Sequence, residues 1–196
     1  MSITTLDSEE LLHLAIRASA QNQHEQAISH LKHAIEKDPN SAKLYYMLGA
    51  EHAEIGLYDR AVEEITKATR IDPKLDTAHF QLGLLYITSG DAQKAIEAWK
   101  ALDHLGENHF LYLLKTGLTY LANNEFDSCT RSLEKGISLN QTNEALNRDM
   151  KRILGEVQVA LENQKNQPNT EKQKTMSNKA SNVLLSAYQK ESEDKS

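Results

Sequence analysis

The chain is poor in the residues that build covalent or metal-held frameworks. One cysteine, Cys129, stands among 196 residues. A lone thiol excludes an intramolecular disulfide and a cysteine-based metal cluster. The eight glycines occur singly, so there is no glycine-rich loop to cradle a phosphate. Apolar runs fall well short of the roughly 18 residues that a membrane-spanning helix needs. The first ten residues lack the basic start and apolar core of a secretory leader. These absences set the expectation of a cytoplasmic protein that does not enter a membrane. Lys and Arg number 22 against 28 Asp and Glu, a net charge of −6. Such a balance repels a phosphate backbone, so nucleic acid is not the expected partner.

What the chain has instead is repetition. Ile35-Glu36-Lys37-Asp38-Pro39 resembles Thr69-Arg70-Ile71-Asp72-Pro73, 34 residues on. The same step generates columns across four windows, 8–41, 42–75, 76–109 and 110–141. Ala27, Ala61, Ala95 and Cys129 form one small-residue column, and Ala15, Gly49, Gly83 and Gly117 another. Leu31, Ile65, Trp99 and Leu133 form a bulky apolar column. Asn22, Gly56, Gly90 and Asn124 fall mid-window, where a left-handed backbone would end one helix and allow another to start. Apolar residues at spacings of three and four predict helices on either side of that turn. Each window therefore reads as a helical hairpin. Small residues let its two helices approach closely, and stacked hairpins share a core that none could build alone.

The pattern resembles the tetratricopeptide repeat. Leu48-Gly49, His52, Gly56, Tyr58, Ala61, Ile65, Ala68 and Pro73 carry the resemblance in the second window. Leu82-Gly83, Tyr86, Gly90, Ala95 and Trp99 carry it in the third. Ala15 and Ala18 depart from it in the first window, and the third and fourth windows end at Glu107 and Gln141 without proline. The resemblance implies an all-α, right-handed α-solenoid of about four hairpins whose first helices line a concave groove. After it, 142–164 keeps Leu146, Met150, Ile153, Leu154, Val157 and Leu161 on one face and reads as a capping helix. The polar stretch 165–179 reads as a flexible linker, and 180–196 as a short apolar helical motif, with Val183, Leu184, Leu185 and Tyr188, followed by a charged tail.

Register carried over from the family puts Leu12, Tyr46, Phe80 and Leu114 in one groove column. Ile16, Ala50, Leu84 and Leu118 form the next, and Ile87 and Leu121 belong to a third with Ser19 and Ala53. Glu9, Lys43, Thr77 and Leu111 mark the edge. Lys43, Gln81 and Lys115 do not rebuild the basic clamp with which some family members hold an acidic peptide terminus. An apolar groove suits an amphipathic or extended segment with hydrophobic anchors. The apolar motif at 180–190 has three readings open to it: filling a groove, its own or a neighbour's; serving another partner; or having no function of its own.

Catalytic and metal chemistry find little support. His30 and His33 have the spacing of two ligands on one helix face; no third ligand is fixed beside them in sequence, although Glu36 could join on the same face, and a solvated face explains them. His52 shares a column with Tyr86 and Tyr120 and reads as packed core. Cys129 shares its column with three alanines and reads as helix packing, not as a nucleophile. Acidic residues are expected along exposed helix faces. The expectation is a non-catalytic adaptor or scaffold without cofactor or metal, binding another protein or peptide. The alternative is a dedicated chaperone for a secreted or assembly-prone client.

Overall fold

A computed structural model of the chain describes residues 6–166 and Val183. The described residues hold helices α1 (Ser8–Ala20), α2 (His24–Lys37), α3 (Ala42–Glu54), α4 (Tyr58–Ile71), α5 (Asp76–Thr88) and α6 (Ala92–Trp99). A 3-10 turn, Lys100–Leu105, follows, then α7 (Phe110–Ala122), α8 (Phe126–Leu139) and α9 (Glu144–Asn166). The fold is all-α. The linker read at 165–179 lies outside the described residues beyond Asn166, and the motif at 180–196 lies outside them except for Val183.

Each hairpin turn repeats one device. Asn22, Gly56, Gly90 and Asn124 all have positive φ, between 56° and 84°. The left-handed residue lets the next amide reach back to the end of the first helix. Gln23, Leu57, Asp91 and Glu125 donate in turn to the carbonyls of Ala18, His52, Tyr86 and Tyr120, at 2.8–2.9 Å. Helix α1 starts with a reciprocal cap. There the Asp7 carboxylate accepts from the amides of Glu9 and Glu10, and Glu10 accepts from the Asp7 amide at 2.9 Å.

The chain forms two compact units, Met1–Leu85 and Tyr86–Ser196. In the first, α1 pairs with α2, α3 pairs with α4, and α2 packs on α3. Leu11, Leu12, Ala15, Leu31, Ala34, Leu44 and Leu48 share one core cluster. The close approach of α3 to α4 falls at Gly49, where an added Cβ would stand 2.5 Å from Ile65 Cγ1 and 3.0 Å from the Ala61 carbonyl oxygen. Ala27 and Ala61 are fully buried. Two polar pairs fasten the helices further. The Glu51 carboxylate meets His24 Nδ1 at 2.9 Å, linking α3 to α2, and His52 Nδ1 meets Glu64 Oε2 at 2.6 Å, linking α3 to α4. Glu51 and His52 are both buried. The expectation that acidic residues lie on exposed faces fails at Glu51, because a partner on the neighbouring hairpin makes its burial affordable.

In the second unit α7 pairs with α8 and α9 packs on α8, and Met150, Ile153, Leu154 and Val157 of α9 are buried. Here the close approach uses Gly117 against Leu133, and Gly136 against Leu113 and Leu114. Ala95 and Cys129 are fully buried. The α8–α9 turn has no proline and is clamped by buried Asn140. Its amide nitrogen donates to the Asn143 carbonyl and to Asn147 Oδ1, both at 2.9 Å, and its backbone oxygen accepts from the Asn147 side-chain amide at 2.8 Å.

Glycine positions separate packing from propensity. A Cβ at Gly117 would stand 2.7 Å from Leu133 Cγ and Cδ2 and 3.2 Å from its backbone nitrogen, whereas one at Gly155 meets nothing. Overpacking costs about 1–3 kcal/mol, more than the gain of about 1 kcal/mol that alanine brings to a helix. Urea unfolding should therefore show Gly117→Ala destabilised by about 1–2 kcal/mol, and Gly155→Ala unchanged or stabilised by up to about 1 kcal/mol.

Candidate peptide-binding face

The groove columns lie at i and i+4 on the first helix of each hairpin, so each pair shares one helix face. In the first unit the face is partly open. Ile16 is 42% exposed, and Tyr46 and Ala50 are half-buried. Leu12 belongs to the core cluster with Leu44 and Leu48. Phe80 and Leu84, on α5, are buried. Thr77 hydrogen-bonds the Tyr46 hydroxyl, but burial is the larger influence and pushes the phenol up from its ordinary value.

In the second unit the same columns are covered. Ile87 is buried, and Leu114, Leu118 and Leu121 have no exposed surface. Part of the cover on Leu114 is internal, since its side chain fills the space a Cβ on Gly136 would occupy. Of the ten predicted residues, Ile16, Tyr46 and Ala50 are exposed or half-buried and the other seven are buried.

An open cleft of about 300 Å³ in the second unit is lined by Ile96, Trp99, Lys115, Thr116, Thr119 and Tyr120 among others. Thr116 occupies the column of Leu14, Leu48 and Leu82, which explains the missing volume. The threonine hydroxyls are committed to their own helix, Thr116 to the Tyr112 carbonyl at 2.7 Å and Thr119 to the Lys115 carbonyl at 2.8 Å. Lys115 pairs with Asp103 and lies over the Tyr112 ring. The cleft therefore offers little polar recognition of its own.

The titratable groups are placed for structure. Burial pushes the Glu64 carboxyl up, outweighing its hydrogen bond to His52 and the charges of His52, Lys32 and Arg60. His33 Nδ1 lies 2.8 Å from the Ser29 carbonyl of its own helix. Among the described residues no group of three or more His, Cys, Asp or Glu could hold a metal ion. None of their helices is long and apolar enough to cross a membrane. Sequence reasoning missed Glu51 and Asn140. Glu51 lies beside the packed His52, but nothing in its type separates it from exposed acids, and Asn140 stands in the column of Asp38 and Asp72, just before the proline-free end at Gln141, without any motif of its own.

Comparison with known proteins places these features. The family described as "Tetratricopeptide repeat" matches residues 18–76 and, through a second repeat type of the same description, 76–101. The Small glutamine-rich tetratricopeptide repeat-containing protein 2 of Saccharomyces cerevisiae is 28% identical over 147 residues, 74% of this chain and 40% of that protein. Its counterpart in Mycosarcoma maydis is 37% identical over 67 residues, 34% of this chain and 19% of that protein. The chain thus spans well under half the length of these relatives. Among solved structures, an anaphase-promoting-complex assembly, Cut9–Hcn1, superposes with a TM-score of 0.70 at 16% identity, over 94% of this chain and 32% of that one. YrrB, described as a TPR protein with an unusual peptide-binding site, superposes with a TM-score of 0.57 at 19% identity, over 94% of this chain and 92% of that one.

Cys129 supplies a check on its packing role. It is fully buried, and burial pushes its thiol up to about 12. A thiol raised from 9 stays neutral in the folded chain where the unfolded chain ionises, so its contribution to stability is intact below pH 9 and declines as pH rises from 9 toward 12. A disulfide reagent at pH 8 should leave the native thiol unlabelled on a time scale of minutes and label it fully in denaturant.

Proposed function

Because the chain is a tetratricopeptide-repeat protein, we propose that it is a non-catalytic adaptor that holds an apolar or amphipathic segment of another protein against the faces of its first helices. The observation that carries this reading is the open apolar face of the first unit, where Ile16 is 42% exposed and Tyr46 and Ala50 are half-buried in equivalent columns. An exposed aliphatic flanked by partly open apolar neighbours gains most from a hydrophobic visitor. The fold likeness to YrrB, a peptide-binding repeat protein by its description, supports the same use. The face carries few fixed charges, which favours apolar anchors over an acidic terminus; Lys43 is the basic residue at its edge. A reducing cytoplasm suits the free thiol of Cys129.

Anchors of this kind contribute roughly 1.5–3 kcal/mol each when fully buried. Losing one therefore weakens binding by about tenfold or more. The test is affinity purification with mass spectrometry, followed by Kd measurement on the segment recovered. Ile16→Asp should raise Kd at least about tenfold with unchanged circular dichroism, because an exposed side chain contributes little to folding. Val159→Asp, at a 52% exposed position on α9, should leave Kd unchanged. Equal retention of partners by both variants overturns the reading. A single client recovered in fixed stoichiometry would direct it toward a dedicated chaperone instead of a general adaptor.

A further inference from the structure

The second helices α2, α4 and α8 each run for 14 residues. In the third window the corresponding stretch has 8 α-helical residues, in α6, followed by 6 in the 3-10 turn Lys100–Leu105. A 3-10 residue turns about 20° further than an α-helical one, so six of them rotate their side chains by roughly 120° off the helix face. This stretch accordingly packs on α7 less extensively than α2 packs on α3. Helix α7 adds to the opening. In the first unit Leu48 of α3 is buried in one cluster with Leu31 and Ala34 of α2. Two 34-residue steps take Leu31 to Trp99, Ala34 to Leu102 and Leu48 to Thr116. The same seam thus recurs in the second unit with its leucine cut back to threonine, and the cleft of about 300 Å³ lies there.

The walls of the cleft select its occupant. Trp99, which is buried, and Ile96, which is half-buried, supply apolar surface. The hydroxyls of Thr116 and Thr119 are bonded one turn back in α7, which leaves their methyl groups for a visitor. The repeat register names the group that fits, a leucine side chain. The charged residues among the described lining are Lys100, Lys115 and Asp103, two cations against one carboxylate in a chain of net charge −6. Lys100 is held by Glu97, three residues back. The Lys115 side chain is only 12% exposed, whereas its partner Asp103 is 61% exposed. So exposed a carboxylate gains little from its pairing, and a second carboxylate arriving in the cleft can take its place.

We propose that this seam cleft is a second docking site, which takes a leucine-class side chain of a partner protein together with an acidic residue beside it, the visiting carboxylate replacing Asp103 on the Lys115 ammonium. A cleft at the lower end of the size range of small-molecule sites suits one or two side chains. The site goes beyond the face that carries Ile16. It uses the second helix of one hairpin and the first helix of the next, and it reads a short acidic and apolar motif.

Trp99 is the one tryptophan of the sequence, so its fluorescence in the full-length protein reports on the cleft directly. The probes are three capped dipeptides: acetyl-Leu-Asp-amide, acetyl-Leu-Asn-amide without the charge, and acetyl-Ala-Asp-amide without the anchor. The first should change the emission saturably, with a Kd on the order of 1 mM, and the other two should bind at least about fivefold more weakly. Thr116→Leu restores the column residue and fills the cleft. It should keep its circular dichroism and melting temperature or gain in the latter, and bind the first probe at least about tenfold more weakly. Lys115→Gln should bind the Asp and Asn probes equally, and decides alone if Thr116→Leu does not fold. No saturable change, or the same change in Thr116→Leu, overturns the proposal. Equal affinity of the unsubstituted protein for the Asp and Asn probes, or for the Leu and Ala probes, overturns it in favour of a neutral or an anchor-free ligand. None of these outcomes bears on Ile16→Asp, so failure here and failure of the adaptor reading are distinguishable.

Discussion

The structure depends on how closely two antiparallel helices can approach. At Gly49 and Gly117 the facing side chains, Ile65 and Leu133, occupy the space that a Cβ would need. Ala27, Ala61, Ala95 and Cys129 are buried without exception. The bulky residue of one helix is thus received by the small residue of the other, and dispersion contacts accumulate over the whole seam. The left-handed turn at Asn22, Gly56, Gly90 and Asn124 brings the second helix back at the angle this contact requires.

Close pairing also determines which surface remains for recognition. Once the small and bulky columns are consumed inside the hairpins, the positions one turn away on the first helices are the apolar ones left over. In the first unit Ile16, Tyr46 and Ala50 remain at least partly open, while Leu12 is drawn into the core by Leu44 and Leu48. In the second unit the equivalent leucines are closed. One repeat sequence therefore yields different exposure at equivalent positions, with Ile16 open and Leu84 and Leu118 of the same column closed.

Much of this was legible in the sequence because a repeat states each constraint four times. The turn column and the small-residue columns needed only the 34-residue step and the conformational preferences of glycine and asparagine. What escaped is what occurs once. The pairing of His24 with Glu51 and the hydrogen-bond clamp at Asn140 depend on residues brought together by tertiary packing, and no periodic signal marks them. The exposure of the groove residues escaped for a related reason. Periodicity says which face Leu118 lies on, but how deeply that face is buried depends on what packs over it, and pattern within one helix cannot report that.

The central claim is that the first helices, not the second, receive a partner. Isoleucine methyl shifts of the full-length protein, recorded as a captured segment is added, test it most directly. Ile16 on α1 should move, while Ile28 and Ile35 on α2, half-buried against the core of the same hairpin, stay in place. Shifts at Ile28 and Ile35 with Ile16 unmoved would put the binding surface on the opposite side of the hairpin and contradict the account.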